Sequence, residues 1–415
     1  MSGASAWIAA GIVLVLVVAL ATETARPPAA MLGALVACVL TGVLPVDRAF
    51  VGFANPATIA VAGLFVVARA MRERGGVDAA LARVLGNGTG GAPRALARFV
   101  PPVILLSGVV NNTPLVAAGA PAVRGWADDH GVAASHLLMP LSFAAILGGS
   151  LTLIGTAPNL VVAGLLSASG EPSLGFFTFT PAALPLAVTG GTALVLLAPR
   201  LLPERLAQPD PVAPEAASGH PGYRALTLAT FAGMVVAAAS GVVPVATAVL
   251  GACAVLVLSR TIPFARAVEA IDLDIVLVVA AAIGLGEAVT ASGLGGAFAG
   301  RAAALAATTG PVLALAVVVL ATLALTEVVT NVAAAALMLP VAVDVAARVG
   351  VPATGYAVAV AVAASSSFLT PVGYQTNTIV YGLGGYRFGD YWRLGLPMAA
   401  LSLTTILLVV PRVWG

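Results

Sequence analysis

Four asparagines lie inside apolar stretches of this chain, where a side-chain amide needs a polar partner: Asn112, Asn159, Asn331 and Asn377. Amide and hydroxyl oxygens, together with the carbonyls of an unwound backbone, suit a hard monovalent cation such as sodium. The free N–H groups at the start of a half-helix carry about half a positive charge and suit an anion. The alternative is structural, with each amide capping a half-helix or bonding across helices. Because each asparagine lies beside Gly, Thr or Pro at a duplicated position, a paired cation and anion site is favoured.

The four asparagines belong to a duplicated unit. The two in the first half are 47 residues apart, the two in the second half are 46 apart, and a proline follows each leading asparagine nine positions later. A constant offset of 218 residues aligns further positions in one register. The aligned pairs include Gly33 with Gly251, Pro45 with Pro263, Arg48 with Arg266, and Gly75 with Gly293.

The composition is that of an integral membrane protein. Hydrophobic residues make up 60% of the 415 residues and charged residues 9%, and the mean hydropathy is +1.06. Apolar stretches near the length of a bilayer span recur, so we predict an all-α polytopic fold in a lipid bilayer. The net charge of +2 argues against a nucleic-acid partner, and the two cysteines suggest neither a disulfide framework nor a metal site. We expect no enzyme, because no nucleophile, base and orienter cluster occurs within the spans.

The chain is predicted to contain two inverted repeats, residues 1–202 and 223–415, joined by a cytoplasmic linker at residues 203–222. Each repeat would have about five transmembrane helices, one re-entrant helical hairpin at the leading asparagine and one broken helix at the second. An odd number of crossings inverts the second repeat. With the N-terminus outside, fifteen of the 19 arginines face the cytoplasm, as the positive-inside rule requires. The first hairpin then enters from the cytoplasm and the second from outside.

Glu327 is the one acidic residue in the core of either predicted hairpin. A carboxylate inside a membrane region is costly unless it has a partner. It could neutralise a bound cation, or it could pair with a backbone donor. Both roles stay open at the level of the sequence.

Two pairs of motifs resemble those of the divalent anion:sodium symporter family, within the wider ion transporter superfamily. Its members carry two Ser-Asn-Thr motifs at hairpin tips, here Asn111-Asn112-Thr113 and Thr330-Asn331-Val332. They also carry two loops of Gly-Thr-Pro-Pro-Asn type, here residues 155–159 and 373–377. The resemblance covers essentially the whole chain. It implies a homodimer in the inner (plasma) membrane, in which a transport part moves against a scaffold part like an elevator.

The resemblance also implies the site residues. One sodium site would be formed by Ser107, Asn111, Asn112 and Gly155, and a second, partly through backbone carbonyls, by Thr326, Val329, Asn331 and Gly373. The substrate, a small inorganic or organic anion, would lie near Asn112, Thr113, Thr156, Asn331, Val332 and Tyr374. Supporting positions are Asn159, Asn377, Pro158, Gln375 and Glu327. Sodium would be the coupling ion, with no other cofactor or metal.

Two departures from the family pattern bear on the substrate. Val332 lacks the hydroxyl of the usual threonine, and Tyr374-Gln375-Thr376 replaces Thr-Pro-Pro. The run from Phe368 to Tyr391 is similar to permeases associated with sulfate, although the TrkA-C domains that many of them carry between the halves are missing here. Sulfate is therefore the first expectation and a C4-dicarboxylate the second, in symport with sodium. An arsenite or sodium/proton efflux antiporter and an ion channel are the alternatives.

Overall fold

The computed structural model describes residues 3–22, 24–75, 83–84, 86, 91–169, 171–205, 221–296, 300 and 311–415. Within these ranges every regular element is a helix. The prediction of an all-α fold is confirmed. Five of the described helices are long and apolar enough to cross a membrane, and seven shorter apolar helices accompany them.

Nine α-helices of the first half lie within the described residues. Prolines in the first turn help to start α2, α4 and α8, because a proline there loses no helical hydrogen bond. The bounds are α1 (Gly3–Ala21), α2 (Pro27–Leu40), α3 (Val46–Ala49), α4 (Pro56–Ala70), α5 (Gly91–Ser107), α6 (Asn112–Asp129), α7 (Ser135–Gly149), α8 (Ala157–Ala168) and α9 (Thr180–Leu201).

Nine α-helices of the second half follow in the same order within the described residues. They are α10 (Pro221–Ser240), α11 (Val245–Leu258), α12 (Phe264–Glu269), α13 (Leu273–Ser292), α14 (Pro311–Thr326), α15 (Asn331–Val349), α16 (Ala353–Ser365), α17 (Gln375–Leu383) and α18 (Phe388–Trp414). The common order supports a duplicated unit. The repeat boundaries and the inversion stay predictions, and residues 206–220 of the predicted linker lie outside the described residues.

The two helices that precede the breaks, α7 and α16, form the centre of the molecule. Every residue of α7 is buried, as is every residue of α16 from Gly355 onward, so these helices need no polar face. α7 packs against α5 and α6, and α16 packs against α14 and α15. The ring centroids of Phe143 in α7 and Phe368, just after α16, lie 4.8 Å apart in an edge-on contact. This contact connects α7 with the segment that follows α16.

Apart from the short α3 and α12, the helices fall into two groups by their contacts. α1, α2, α4, α10, α11 and α13 pack mainly on one another, and we call them the outer group; α5–α9 and α14–α18 form the inner group. The groups meet where α13 packs along α15 and where α4 and α13 pack along α8. The equivalent contacts with the halves exchanged would be those of α4 along α6 and of α13 along α17. Among the described residues, neither pair packs comparably. The contact between the groups is therefore asymmetric with respect to the two halves.

Ion pairs tie together segments at the two ends of the molecule. Arg48 of α3 pairs with Glu287 of α13, while Arg266 of α12 lies 3.5 Å from Glu73. Each pair joins positions that the arginine distribution assigns to the same side of the membrane. The packing is therefore consistent with the predicted topology.

The second predicted hairpin contains a helix long enough to span a membrane, α15. Four residues separate it from α14, and the two helices pack along each other. The pair therefore has the form of a hairpin, and its insertion from one side of the membrane stays a prediction.

Candidate functional site

The first tip is built by the residues between α5 and α6. Asn111 caps α6, because its side-chain oxygen accepts the Thr113 N–H at 3.3 Å. Ser107, the last residue of α5, is fully buried and donates its hydroxyl to the Ala145 carbonyl at 2.8 Å. Its oxygen also lies 2.6 Å from the amide of Asn112. The tip is thus anchored on the buried helix α7.

The amide of Asn112 lies among three oxygens. With its nitrogen facing them, it donates to Ser107 Oγ at 2.6 Å, and to the carbonyls of Ala145 at 3.1 Å and Gly155 at 3.2 Å. Its oxygen then accepts the Tyr374 hydroxyl at 2.7 Å. This orientation satisfies every donor and is the one that the hydrogen bonds favour. Converging oxygens are also what a hard cation requires, and three residues predicted for the first sodium site meet here.

The second tip repeats these contacts at equivalent positions of the register. Thr326 ends α14 and donates to the Ala364 carbonyl at 2.5 Å, and its hydroxyl oxygen lies 3.3 Å from the side-chain oxygen of Asn331. Thr330 caps α15 by accepting the Ala333 N–H at 3.3 Å. The sequence duplication is thus reproduced in hydrogen bonds.

Two glycines let the loops after α7 and α16 pack closely, the first against the end of α7 and the second against the second tip. A Cβ at Gly155 would lie 2.4 Å from the Gly149 carbonyl oxygen. One at Gly373 would lie 2.1 Å from Ser367 Oγ and 2.9 Å from the Thr326 carbonyl oxygen. A side chain at either position would displace the loop. Gly373 and the Thr326 carbonyl, both predicted for the second sodium site, are thereby adjacent.

A cavity of about 240 Å³ lies between the tips. Four helices of the inner group, α6, α8, α15 and α17, begin at its wall, so their positive N-terminal ends border one space. Predicted residues in the lining are Asn111, Thr113, Pro158, Asn331, Val332, Gly373, Tyr374 and Gln375. Predicted residues outside the lining are Ser107, Asn112, Gly155, Thr156, Thr326, Val329, Asn159, Asn377 and Glu327.

The outer group supplies a wall that sequence reasoning missed. Pro27 and Pro28 at the start of α2, and Asp274, Ile275 and Val278 of α13, complete the lining. Asp274 is the one charged residue among the described lining residues. No local signal marks it, because an acidic residue in the first turn is ordinary for a helix. Only the packing of α13 along α15 brings it to the cavity.

The second asparagine of each half holds its own loop. Asn159 donates to the Thr152 carbonyl at 2.8 Å, and Asn377 donates to the carbonyls of Ser367 at 3.0 Å and Thr370 at 3.1 Å. Both amides are fully buried and neither reaches the cavity. They satisfy carbonyls of an unwound segment, which is the structural role that the sequence left open.

Glu327 binds the second tip to the loop after α16. Its carboxylate accepts the backbone N–H groups of Phe368 at 2.8 Å, Leu369 at 2.9 Å and Thr370 at 2.9 Å. The contacts with backbone donors are therefore present, and a role of this carboxylate toward a bound cation stays a prediction. The equivalent position in the first half is Gly108, so only the second tip has a carboxylate at this place.

Tyr374 connects the two halves beside the cavity. Its hydroxyl lies 2.7 Å from the Asn112 amide and 2.7 Å from Thr156 Oγ1. Next to it, the Thr113 hydroxyl donates to Gln375 Oε1 at 3.1 Å. Asn112 and Thr156, predicted to bind substrate, therefore meet the tyrosine hydroxyl and do not line the cavity themselves.

Paired polar tips, two broken helices and a cavity bordered by the N-termini of inner-group helices are features found in membrane transporters. The chain belongs to the citrate transporter family, whose family model matches residues 17–363. The resemblance to the anion symporters of this superfamily is confirmed at the level of the family. Because the family consists of transporters, the expectation that the chain is not an enzyme is confirmed, and the chain is a multi-pass membrane protein.

Several curated relatives carry names from sulfur metabolism. Probable sodium/sulfate cotransporter 3 of Chlamydomonas reinhardtii is 35% identical over 168 residues, or 39% of this chain and 19% of that protein. The match thus spans about a fifth of the cotransporter's length. A putative sulfur deprivation response regulator of the same organism is 25% identical over 90% of this chain and 95% of its own length. The uncharacterized transporter YfbS of Escherichia coli is 33% identical over 46% of this chain and 31% of its own length.

Two solved structures share the fold. The Alcanivorax borkumensis YdaH transporter superposes with a TM-score of 0.64 over 90% of this chain and 87% of that one, at 16% identity. MtrF of Neisseria gonorrhoeae, from a class of antimetabolite efflux pumps, superposes with a TM-score of 0.56 over 91% of this chain and 84% of that one, at 16% identity. The prediction of a polytopic membrane fold is confirmed.

Proposed function

We propose that the chain is a secondary active transporter that carries sodium together with a divalent anion, sulfate first and a C4-dicarboxylate second, across the plasma membrane. The observation that carries the proposal is the cavity bordered by the N-termini of four inner-group helices, with no arginine in its described lining. Each N-terminus contributes about half a positive charge, so together they can hold a dianion without a buried guanidinium. The names of the sodium/sulfate cotransporter relatives support sulfate.

Asn331 supplies a hydrogen-bond donor suited to an anion. It is 7% exposed, it lines the cavity, and its amide nitrogen has no hydrogen-bond partner among the described residues. A buried donor without a partner costs about 1–3 kcal/mol, which a bound anion oxygen would offset. The amide oxygen faces Thr326, on the side proposed for the second sodium. One side chain thus serves the cation with its oxygen and the anion with its nitrogen.

The oxygens at the two tips support sodium as the coupling ion. Ser107 Oγ and the Gly155 carbonyl converge at the first tip, and the Thr326 carbonyl oxygen lies beside Gly373 at the second. Each tenfold sodium gradient supplies about 1.4 kcal/mol per ion. Two sodium ions with one sulfate would move no net charge, whereas a third ion would make transport sensitive to voltage. No other cofactor is proposed.

The asymmetric contact between the groups supports alternating access. The inner group packs on the outer group through α15 and α8. In the opposite state, the equivalent helices α6 and α17 would make these contacts instead. The cavity reaches Pro27 and Asp274, at the starts of α2 and α13, which the arginine distribution assigns to the cytoplasmic end. An inward-facing state with an elevator-like inner group accounts for both observations. In the proposed homodimer, the outer group would be the fixed scaffold.

The test is uptake of labelled sulfate into proteoliposomes with and without an inward sodium gradient, with succinate, citrate and arsenite as competitors. We expect sodium-dependent uptake that Asn331→Ala abolishes. Ser402→Ala, which removes a buried hydroxyl of α18 outside the cavity, should leave uptake intact.

The remaining outcomes separate the alternatives. Uptake of succinate without sulfate would move the substrate to dicarboxylates and keep the mechanism. No sodium-dependent uptake of either anion would contradict symport and favour an efflux antiporter. A conductance above carrier rates would favour a channel.

A further inference from the structure

The hydrogen bonds of Tyr374 reach from the second half of the chain into the first. Tyr374 lines the cavity, and its hydroxyl lies 2.7 Å from both the Asn112 amide and Thr156 Oγ1. Thr156 is the register equivalent of Tyr374, 218 residues earlier. A hydroxyl has one hydrogen to donate. Tyr374 can therefore donate to only one neighbour at a time.

The orientation of the Asn112 amide decides which neighbour receives this hydrogen. When the amide oxygen faces the tyrosine, Tyr374 donates to Asn112, and Thr156 donates to Tyr374. When the amide nitrogen faces the tyrosine, Asn112 donates to the phenol oxygen, and the Tyr374 hydrogen is free to bond to Thr156 or to another acceptor. The two arrangements use the same heavy-atom positions and differ by a turn of the amide.

A cation at the first tip selects the second arrangement. The end of the amide opposite the tyrosine lies within 2.6 to 3.2 Å of Ser107 Oγ and the carbonyls of Ala145 and Gly155. A cation among these oxygens attracts the amide oxygen and repels the positively polarised N–H₂ group. The nitrogen then turns toward Tyr374.

We propose that Tyr374 is the positioning residue through which cation binding at the first tip creates a hydrogen-bond donor for the anion. The inference rests on the proposed sodium-coupled anion transport and adds the link between the two ligands. With the cation bound, the Tyr374 hydrogen is available at the wall of the cavity. With no cation, Asn112 accepts that hydrogen, so the anion gains the donor only after the cation binds. This order of events couples the two ligands.

The test measures coupling directly. Binding of labelled sulfate to the purified full chain is titrated in sodium buffer and in choline buffer, and the ratio of the two dissociation constants is the coupling factor. We expect Tyr374→Phe to weaken sulfate binding in sodium by about tenfold or more, the usual effect of losing a hydrogen bond to a charged ligand. Binding in choline should be unchanged, so the factor falls. Tyr381→Phe, in a tyrosine whose ring contacts Tyr391, should keep the wild-type factor.

A second variant acts on the amide itself. Asn112→Asp removes the effect of rotating the side chain, because both oxygens of a carboxylate accept hydrogen bonds. We expect this variant to bind sodium, measured as a sodium-dependent rise in melting temperature, and to lose the sodium stimulation of sulfate binding. Since coupling between two ligands is reciprocal, sulfate must raise the sodium affinity of the wild type by the same factor.

The outcomes distinguish the proposed role of Tyr374 from the proposed sodium-coupled transport on which it rests. A wild type whose sulfate binding ignores sodium would overturn the proposed symport and the link with it. If the wild type shows the expected coupling factor and Tyr374→Phe keeps it, the role of Tyr374 alone is overturned. This holds even if sulfate affinity falls equally in both buffers.

Discussion

The two tips share a framework and differ in the chemistry attached to it. In each tip, the helix that forms the first arm of the hairpin, α5 or α14, ends with a hydroxyl residue, Ser107 or Thr326. This hydroxyl donates to a carbonyl of the buried helix behind it. Each begins its second arm with a buried asparagine. Among the equivalent pairs that differ in chemistry are Gly108 and Glu327, Thr113 and Val332, and Thr156 and Tyr374.

This comparison separates contacts that both halves need from positions that each half can change. The hydroxyl contacts and the amide contacts of Asn159 and Asn377 satisfy backbone groups inside the membrane region, so both halves retain them. The differing positions lie at the cavity or directly behind it. At these positions the second half carries a carboxylate, a valine and a phenol, where the first half carries a glycine and two threonines.

The largest difference between the tips is expected at Glu327. Glu327→Ala leaves the N–H groups of Phe368, Leu369 and Thr370 without their acceptor, at about 1–3 kcal/mol for each unsatisfied group. We expect the free energy of unfolding in detergent to fall by about 3 kcal/mol or more. Glu327→Gln, which keeps one acceptor oxygen, should fall in between.

Gly108→Ala is the matched control for Glu327→Ala in the first tip. The nearest atom to the added Cβ is the Leu105 carbonyl oxygen at 3.3 Å, so a small shift accommodates it. The loss should stay below about 1 kcal/mol. Equal losses of unfolding free energy in both variants would show that the Glu327 carboxylate does not stabilise its tip.

Sodium dependence should separate the tips next. Ser107→Ala and Thr326→Val each remove one hydroxyl proposed as a sodium ligand. We expect the half-saturating sodium concentration for sulfate uptake to rise about tenfold for Ser107→Ala. The rise should be smaller for Thr326→Val, because the Glu327 carboxylate lies beside Gly373 and still attracts a cation there. A larger shift for Thr326→Val would contradict this role of Glu327.

The second asparagines should differ by less. Asn377 accepts the Ser142 hydroxyl at 2.7 Å in addition to its own donated bonds. The side-chain oxygen of Asn159 has no partner among the described residues. We therefore expect Asn377→Ala to lower the free energy of unfolding by about 1 kcal/mol more than Asn159→Ala. Ser142→Ala should abolish most of that difference, and an unchanged difference would contradict the assignment.

The smallest effect is expected at Val332, which lines the cavity where the first half has Thr113. Val332→Thr is nearly isosteric and adds one hydroxyl to the wall. A second hydroxyl favours a ligand with two separated carboxylates, so we expect succinate to inhibit sulfate uptake about threefold more strongly. The reverse exchange, Thr113→Val, removes the bond to Gln375 and should weaken succinate inhibition. Identical inhibition constants in all three proteins would show that this pair plays no part in selectivity.

The sequence by itself determined the helical fold, the two tips and most of the residue types at the cavity. Apolar stretches of membrane length must satisfy their backbone groups internally and therefore form helices. Polar residues and glycines interrupt those stretches at duplicated positions, and α5 and α14 end there, at Ser107 and Thr326. Eight of the predicted site residues line one cavity.

The tertiary structure alone decided which residues meet across the halves. Tyr374 contacts Asn112 from 262 residues away and excludes Asn112 and Thr156 from the cavity wall. Asp274 reaches the cavity because α13 packs along α15. Sequence periodicity reports which residues share a face within one helix, whereas these contacts depend on how the buried faces of two halves fit together. Packing therefore decided which polar groups face the anion and which face each other.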